Sequence, residues 1–290
     1  MPIDADTLVK GWKSHFWSAD HAIEWKDSER EATVWLSDNT LLVGIVDALG
    51  FNGEGKLFFG EWKSANPREK NTWKGMWRMN PQSLSYGVLI QNDPAIRPDC
   101  STFLVRKAFK EKSGVPTYDH SWFAYDSGEL RHWKGELLRI ADEIRAYRAS
   151  GSTPWPTNFT RCFAYGANYA CPFFAEGCAK QNWSYTPPNA LVKQEQSWVA
   201  DAIAEVPFKR DLVVLSPSRV GDWLGCRELY RKRAEALIEL PSSEALDLGK
   251  NFHGQHADYY RTLIDMRKAN IAEPLQQFFE QTFQGGHQNG

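Results

Sequence analysis

The sequence predicts an α/β fold, in which helices flank a central mixed sheet. Two apolar runs, Leu41 to Leu49 and Lys56 to Trp62, are separated by a glycine-rich stretch, a pattern typical of a β-hairpin. Apolar residues at helical spacing occur on both sides of this hairpin, in Asp4 to Glu24 and in Trp133 to Tyr147. The chain therefore supplies a sheet together with helices to cover it.

The length and composition limit the class of protein. The 290 residues allow one large domain, or one domain with an added module, and the formal net charge of -2 argues against a protein that coats nucleic acid over its whole surface. The 13 Trp residues could stack on unpaired bases, but most are expected in the core. The chain shows neither a run of 18 apolar residues nor an apolar signal segment at its amino terminus, so we expect no membrane partner and a cytoplasmic location.

The first half of the chain supplies most of the predicted elements. The helix from Asp4 to Glu24 is followed by a short strand, Thr33 to Leu36, and then by the hairpin. A second helical stretch spans Trp73 to Ile90, in which Pro81 is expected to start a helix just before Gln82. Alternating apolar residues then predict a further strand from Thr102 to Phe109.

The domain organisation follows from a boundary after the helix of Trp133 to Tyr147, where serine, glycine and proline cluster. We expect a core in residues 1–150, a three-cysteine segment in 151–180, a connection in 181–211, and a helical segment in 212–290 that packs back on the core.

Three charged residues stand out in the predicted hairpin. Asp47 lies near the end of the first strand, and Glu61 and Lys63, two residues apart on the second, share one face, with the Trp62 side chain on the other. Carboxylate oxygens suit Mg²⁺ or Mn²⁺, and a nearby Lys can orient a water or offset negative charge. The alternative is that these residues form a turn and a surface ion pair.

Cysteines form the second notable group. Five cysteines in a reducing compartment favour metal or cluster ligation over disulfides. Cys162, Cys171 and Cys178 are close in sequence, and a fourth ligand could come from Cys100 or Cys226. Cys100 has no neighbouring cysteine and is expected to be a free thiol, whereas Cys226 lies within a helix that Ser216-Pro217-Ser218 would cap and that runs from Arg219 onward.

The pattern resembles the PD-(D/E)XK nuclease superfamily, in which a strand-borne Asp precedes a Glu-x-Lys strand and a helix. Asp47 and Glu61-Trp62-Lys63 match these elements, and Gln82 and Tyr86 match the Gln-x-x-x-Tyr helix of the RecB-like branch. Members with an iron–sulfur cluster also carry a Ser-x-Ser helix with a cysteine and a Tyr, and a Gly-x-x-x-His element. The matching residues are Ser216, Ser218, Cys226, Tyr230, Gly249 and His253.

The order of these elements differs from the family pattern, because the elements of Cys226 and His253 follow the catalytic and three-cysteine elements instead of preceding them. A circular permutation would explain this order, with Gln181 to Asp211 as the new connection. Alternatives are a truncated tandem copy in residues 212–290, or a segment that swaps into a neighbouring chain.

The resemblance implies a restriction-endonuclease-like core, a helical iron–sulfur module and a role for each matched residue. Asp47, Glu61 and His253, with the Trp62 carbonyl, would ligate Mg²⁺ or Mn²⁺, and Lys63 would position the attacking water. Gln82 and Tyr86 would orient DNA or the catalytic groups. A [4Fe–4S] cluster, or Zn²⁺ as the alternative, would be held by Cys162, Cys171, Cys178 and Cys226. His256, near His253, is a rival ligand without the family spacing.

The resemblance therefore predicts a metal-dependent DNA nuclease, with exonuclease action as the family expectation, in the cytoplasm of a bacterium or a phage-infected host. Tyr165-Gly166 between the cysteines is similar to phage-encoded members. The alternatives are a non-catalytic DNA-binding or assembly subunit that keeps the fold, and a zinc-stabilised structural protein. The basic residues after Cys226 could contact phosphates or form a solvated helix face: Arg227, Arg231, Lys232 and Arg233.

Overall fold

The computed structural model describes residues 4–65, 70–93, 102–111, 113–151, 154–158, 162, 171, 173–182, 184, 186, 191–192, 197–204, 211–235, 238–239 and 244–269. Within these ranges the chain has an α/β architecture with a mixed six-stranded sheet, as the sequence predicts. Cys100 and Tyr165-Gly166 lie outside the described residues, as do parts of the predicted connection and the tail after residue 269.

Five strands form a continuous sheet in chain order, and their bounds are β1 (Glu24–Ser37), β2 (Thr40–Phe51), β3 (Leu57–Ala65), β4 (Thr102–Phe109) and β5 (Thr117–Ala124). Only β3 and β4 are parallel within this series. Two short strands, β6 (Leu191–Val192) and β8 (Ile238–Glu239), pair with each other, and β7 (Val213–Leu215) pairs in parallel with the start of β2.

The predicted hairpin is confirmed as β2 and β3, and local chemistry closes its turn. The Asn52 side chain accepts hydrogen bonds from the backbone N–H groups of Glu54, at 3.0 Å, and Lys56, at 2.9 Å. Gly55 has a φ of 73°, a left-handed conformation that glycine adopts without steric cost. The turn therefore fixes the register of the four residue pairs that join the two strands.

Helices cover both faces of the sheet, and their bounds are α1 (Ala5–Ala22), α2 (Trp73–Arg78), α3 (Pro81–Asn92), α4 (Ser127–Ser150), α5 (Ser197–Ile203), α6 (Pro217–Gly225), α7 (Arg227–Tyr230) and α8 (Glu244–Lys268). Short π-helical turns occur at Phe174–Cys178 and Arg231–Glu235. A capping box of Asp126 and Glu129 starts α4, and Gly151, with a φ of 62°, ends it.

The sheet separates two hydrophobic clusters. One joins the sheet to α3, α4 and α6, and it includes Leu89, Ile140 and Trp223. The other joins the sheet to α1 and α8 and contains Trp12, Trp62 and Tyr260 among its members. Most of the described Trp side chains are buried, as expected, whereas Trp35 and Trp122 are exposed; the buried ones are Trp12, Trp25, Trp62, Trp73, Trp77, Trp155 and Trp223.

Several elements extend beyond the sequence prediction. The strand expected at Thr33 to Leu36 begins at Glu24, and the stretch from Trp73 to Ile90 forms two helices, with Pro81 starting the second. The helix after Ser216 begins at Pro217 instead of Arg219 and ends at Gly225. Cys226 therefore lies in extended conformation at the junction of α6 and α7, not within one continuous helix.

None of the helices described here is long and apolar enough to span a membrane.

Candidate active site

The candidate site lies where the pairing of β2 with β3 ends. The last paired residues are Ala48 and Gly60, and Asp47 and Glu61 are the next residue on each strand. Beyond this point the start of β2 pairs with β7 instead, so the two strands separate. The Trp62 backbone N–H donates to Asp47 Oδ2 at 2.6 Å, and this bond joins the strands across the gap.

Glu61 is the most enclosed acidic group of the site, with 1% of its surface exposed. Its Oε1 accepts a hydrogen bond from Gln82 Nε2 at 2.9 Å and forms an ion pair with Lys63 Nζ. Its Oε2 is buried and lacks a hydrogen-bond partner within the described part of the chain. An oxygen of this kind is costly to bury unless a further group binds it.

Burial raises the pKa values of both carboxyl groups. The pKa of Glu61 rises to about 7, first because of burial and then because of the nearby Asp47 charge. Burial also raises the pKa of Asp47 to about 6, although Lys63 and the Trp62 N–H act against the shift. Burial alone would lower the pKa of Lys63, but the charges of Glu61 and Asp47 raise it overall. The site thus holds two carboxyl groups that titrate near neutrality beside a protonated amine.

His253 reaches the same place from α8. Its Nδ1 lies 3.6 Å from Asp47 Oδ2, and burial, together with the Lys63 charge, lowers its pKa to about 4. The imidazole is therefore neutral at pH 7, the form that can ligate a metal ion. His256 has a packing environment instead, because it is fully buried, its Nδ1 lies 2.7 Å from the Phe252 carbonyl, and its ring meets Trp12 edge-on.

Gln82 and Tyr86 lie one turn apart on α3, as predicted. Asn80 caps this helix by accepting a hydrogen bond from the Gln82 backbone N–H at 2.8 Å, and Pro81 occupies the first helical position. Gln82 also hydrogen-bonds Tyr86, whose pKa is raised well above 10 by burial and by the charges of Glu61 and Asp47. The helix start therefore connects directly to the carboxylates.

Trp62 faces away from Glu61 and Lys63, as its strand position predicts. Its ring packs against Trp12 and stacks on Tyr260, on the side of the sheet that α1 and α8 cover. Its backbone belongs to the site through the bond to Asp47, while metal ligation by its carbonyl remains a prediction.

Glu29 is a site residue that the sequence reasoning missed. It lies on β1 between Ser28 and Arg30, which pair with Ala48 and Val46, so its position in the ladder is opposite Asp47. Burial raises the pKa of Glu29, and its charge in turn raises the pKa of Asp47. Its φ of 55° is unusual for a residue with a side chain and could not be read from the polar sequence around it.

The four predicted cysteine ligands are free thiols that interact with one another. Burial, with smaller electrostatic contributions from Cys162, Cys171 and Cys226, raises the pKa of Cys178 to about 11. Burial and the charges of Cys171 and Cys226 raise the pKa of Cys162 to about 11 as well. The Cys171 backbone N–H donates to the Cys162 carbonyl at 2.8 Å. Electrostatic interactions therefore link Cys226 to the cysteines of the earlier segment, but the cysteines do not form a metal-binding group among the described residues.

A buried carboxylate connects the segment before Cys162 to α7. The Glu228 side chain accepts a hydrogen bond from the Trp155 backbone N–H at 3.1 Å, and its backbone N–H donates to the Pro156 carbonyl at 3.3 Å. Arg231 pairs with both Glu228 oxygens, and the Trp155 ring stacks on Tyr230. These contacts hold the start of the three-cysteine segment against the helix that follows Cys226.

The basic residues after Cys226 have partners within the protein. Arg233 pairs with Asp222 at 2.9 Å and Arg227 with Glu143 at 3.8 Å, in addition to the pairing of Arg231 with Glu228. Lys232 is buried, with its amine over the Phe173 ring. These contacts favour a structural role over a phosphate-binding role.

Within the described ranges, no three His, Cys, Asp or Glu side chains together adopt a geometry that would hold a metal ion. In the candidate site, protein donors bind one oxygen of each carboxylate, whereas Glu61 Oε2 has no hydrogen-bond partner among the described residues.

No family model matches the chain, and no curated protein matches its sequence.

Proposed function

We propose that this protein is a metal-dependent nuclease that hydrolyses phosphodiester bonds in DNA, with a restriction-endonuclease-like core and exonuclease action as the expected mode. The observation that carries the proposal is the convergence of Asp47, Glu61, Lys63 and His253 where β2 and β3 separate. A surface ion pair does not account for this arrangement, because Glu61 is fully buried and one of its oxygens has no partner among the described groups.

The residues fit a divalent cation. Asp47 and Glu61 supply oxygen donors, and His253 supplies a neutral imidazole, a donor set suited to Mn²⁺ and, through its carboxylates, to Mg²⁺. A cation held there would polarise the phosphodiester and lower the pKa of an attacking water. The unpartnered Glu61 Oε2 is the atom that would gain most from such an ion.

The remaining site residues have roles that follow from their contacts. Lys63, protonated at neutral pH, can orient the attacking water and offset the negative charge that develops on phosphate. Gln82 holds Glu61 through the bond to Oε1 and links it to Tyr86, which keeps the carboxylate in one orientation. Asp47 is held in the same way by the Trp62 N–H.

We also propose that Cys162, Cys171, Cys178 and Cys226 hold a [4Fe–4S] cluster, with Zn²⁺ as the alternative. Four thiols are the ligand set of both groups, the Cys171 backbone N–H bonds the Cys162 carbonyl, and electrostatic interactions link these two cysteines to Cys178 and Cys226. The contacts of Glu228 with Trp155 and Pro156 support a circularly permuted arrangement, since they join the three-cysteine segment to the helix after Cys226.

The test of the nuclease proposal compares the wild type with Glu61→Gln on end-labelled single-stranded and duplex DNA, with Mg²⁺ or Mn²⁺. The substitution keeps the shape of the side chain but removes its charge, so we expect cleavage to fall by about 100-fold or more. Glu54→Gln, which changes an exposed carboxylate paired with Lys56, is the matched control and should cleave as the wild type does.

A DNA-binding measurement on the same variants tests the alternative function, a non-catalytic DNA-binding subunit. If the wild type binds DNA but leaves it intact with either metal, the nuclease proposal is wrong and a non-catalytic DNA-binding subunit takes its place.

A further inference from the structure

Trp62 connects the two faces of the sheet at the candidate site. Its backbone N–H binds Asp47 on one side, while its ring stacks on Tyr260 of α8, with ring centroids 5.1 Å apart and planes inclined by 24°. The same tryptophan therefore contacts both a site carboxylate and the helix that carries His253.

The Tyr260 hydroxyl is the centre of a buried hydrogen-bond network. It accepts hydrogen bonds from an Arg106 guanidinium nitrogen at 2.9 Å and from Trp12 Nε1 at 3.2 Å, and it lies 3.4 Å from Asp20 Oδ2, to which it donates. The residues of this network are almost completely buried. A hydroxyl with three partners in a buried setting has one favourable position, so it resists displacement.

Arg106 and Asp20 anchor this hydroxyl to the rest of the fold. They form a buried ion pair between β4 and α1, and Arg106 is the neighbour of Trp62 in the parallel ladder. The Arg106 guanidinium lies over the Trp62 ring at 5.3 Å and over the Phe16 ring at 4.3 Å. Tyr260 is thus held against the strand that carries Glu61.

Because Tyr260 and His253 lie on the same helix, the position of Tyr260 also determines the position of His253. Tyr260 follows His253 by about two helical turns on a continuous helix, so fixing one residue fixes the height and rotation of the other. His253 keeps 27% of its side chain exposed, and its Nδ1 lies 3.6 Å from Asp47 Oδ2.

We propose that Tyr260, held by Asp20, Arg106 and Trp12, is a positioning residue that sets the register of α8 against β3 and thereby places His253 beside Asp47. The inference deepens the proposed function, since it concerns the histidine of the proposed metal site. The simpler alternative is that the network only stabilises the fold, in which case its loss would lower stability without a specific effect at His253.

The first test needs no metal. Tyr260→Phe removes the hydroxyl and keeps the ring, and we expect it to shift the NMR signals of the His253 imidazole in the metal-free protein. Tyr259→Phe is the matched control, because it removes a neighbouring hydroxyl that also bonds Asp20, at 3.3 Å, and it should shift these signals much less. Unchanged His253 signals in folded Tyr260→Phe would overturn the proposal.

The second test is a double-mutant cycle of Mn²⁺ affinity with His253→Ala. If Tyr260 acts through His253, Tyr260→Phe should weaken Mn²⁺ binding by about tenfold in the wild-type background and have little effect beside His253→Ala. An equal effect in both backgrounds would assign the network to stability alone and overturn the proposal.

These tests separate failure of the inference from failure of the proposed function. Absence of Mn²⁺ binding by the wild type would count against the metal site, while the NMR test would still decide the role of Tyr260. Should Tyr260→Phe not fold, Trp12→Phe removes one donor to the same hydroxyl and should give a smaller shift at His253. The absence of any shift in that variant would again reject the positioning role.

Discussion

Burial raises the pKa values of Asp47 and Glu61 above their ordinary range, and this gives metal binding a pH dependence. Protons and the cation compete for the carboxylates, whose pKa values are about 6 and about 7. Mn²⁺ affinity should be constant above pH 8 and fall below pH 7, by about tenfold per pH unit for each proton displaced. Binding titrations from pH 5 to pH 9 would measure it.

Glu29→Gln tests whether the lower step of this profile belongs to Asp47. Because the Glu29 charge raises the pKa of Asp47, its removal should move the lower step of the profile to lower pH and leave the step of Glu61 in place. A wild-type affinity that does not change between pH 5 and pH 9 would show that the carboxylates are not the ligands.

Burial of the Glu61 carboxyl also makes the stability of the metal-free protein depend on pH. The folded-state pKa of Glu61 lies above its ordinary value, so the folded protein binds this proton more tightly than the unfolded chain does. The ionised carboxyl therefore destabilises the metal-free protein above pH 7, and this penalty disappears as pH falls below about 4.5. Glu61→Gln removes this titration, so its free energy of unfolding should fall by about 1–2 kcal/mol less than that of the wild type between pH 4.5 and pH 8.

Urea denaturation at pH 8 and at pH 4.5 would measure this difference, with Glu54→Gln as the exposed control. The prediction would be wrong if Glu61→Gln and the wild type lost the same free energy of unfolding between pH 4.5 and pH 8.

The start of α3 determines the orientation of Gln82. Asn80 caps the helix through the Gln82 N–H, and the Gln82 side chain then reaches Glu61. Asn80→Ala should lower the free energy of unfolding by about 1 kcal/mol and weaken the hold on Glu61, whereas Asn80→Asp, which keeps the cap, should lose much less. Thermal and urea denaturation would measure both variants, and equal losses would exclude the cap as the cause.

Local patterns in the sequence predict some elements and not others. The hairpin and the Gln82 helix were predictable, because apolar runs, glycines and a proline mark their limits. The strand β5 was missed because its side chains are largely polar and half exposed at the sheet edge, and the first half of β1 lacks an apolar alternation. These strands form because the neighbouring strands supply their hydrogen-bond partners, information that lies elsewhere in the chain.

The same distinction applies to the site. Asp47, Glu61 and Lys63 could be predicted, because short-range spacing on two strands brings them together. Glu29 and the network around Tyr260 could not, since they depend on the pairing of β1 with β2 and on the packing of α8 against α1. Contacts between residues distant in sequence leave no local pattern.

At the scale of the whole molecule, elements from the last third of the sequence pack on elements from the first third. The strand β7 extends the sheet beside β2, α8 packs against α1 and β1, and α6 packs against α3. Cys226 lies at the end of α6, so a cluster shared with Cys162, Cys171 and Cys178 would fasten distant segments to one another.

A metal analysis tests whether the four cysteines share a cluster. Anaerobically purified wild type should contain about four iron and four sulfide per chain, with visible absorption, and Cys226→Ala should lose both. Cys100→Ala, which changes the isolated cysteine, should keep them. Retention of iron by Cys226→Ala would separate residues 212–290 from the cluster, and zinc without iron would identify the alternative metal.

The parallel pairing of β7 with the start of β2 also has a consequence during protein synthesis. The backbone of Thr40–Leu42 leaves the ribosome long before Val213–Leu215 exists, so an apolar strand edge stays unpaired while the intervening chain is made. Such long-range pairing slows folding and leaves the nascent chain prone to aggregation. Productive folding therefore depends on this edge staying unpaired with other chains until Val213–Leu215 has left the ribosome and can pair with it.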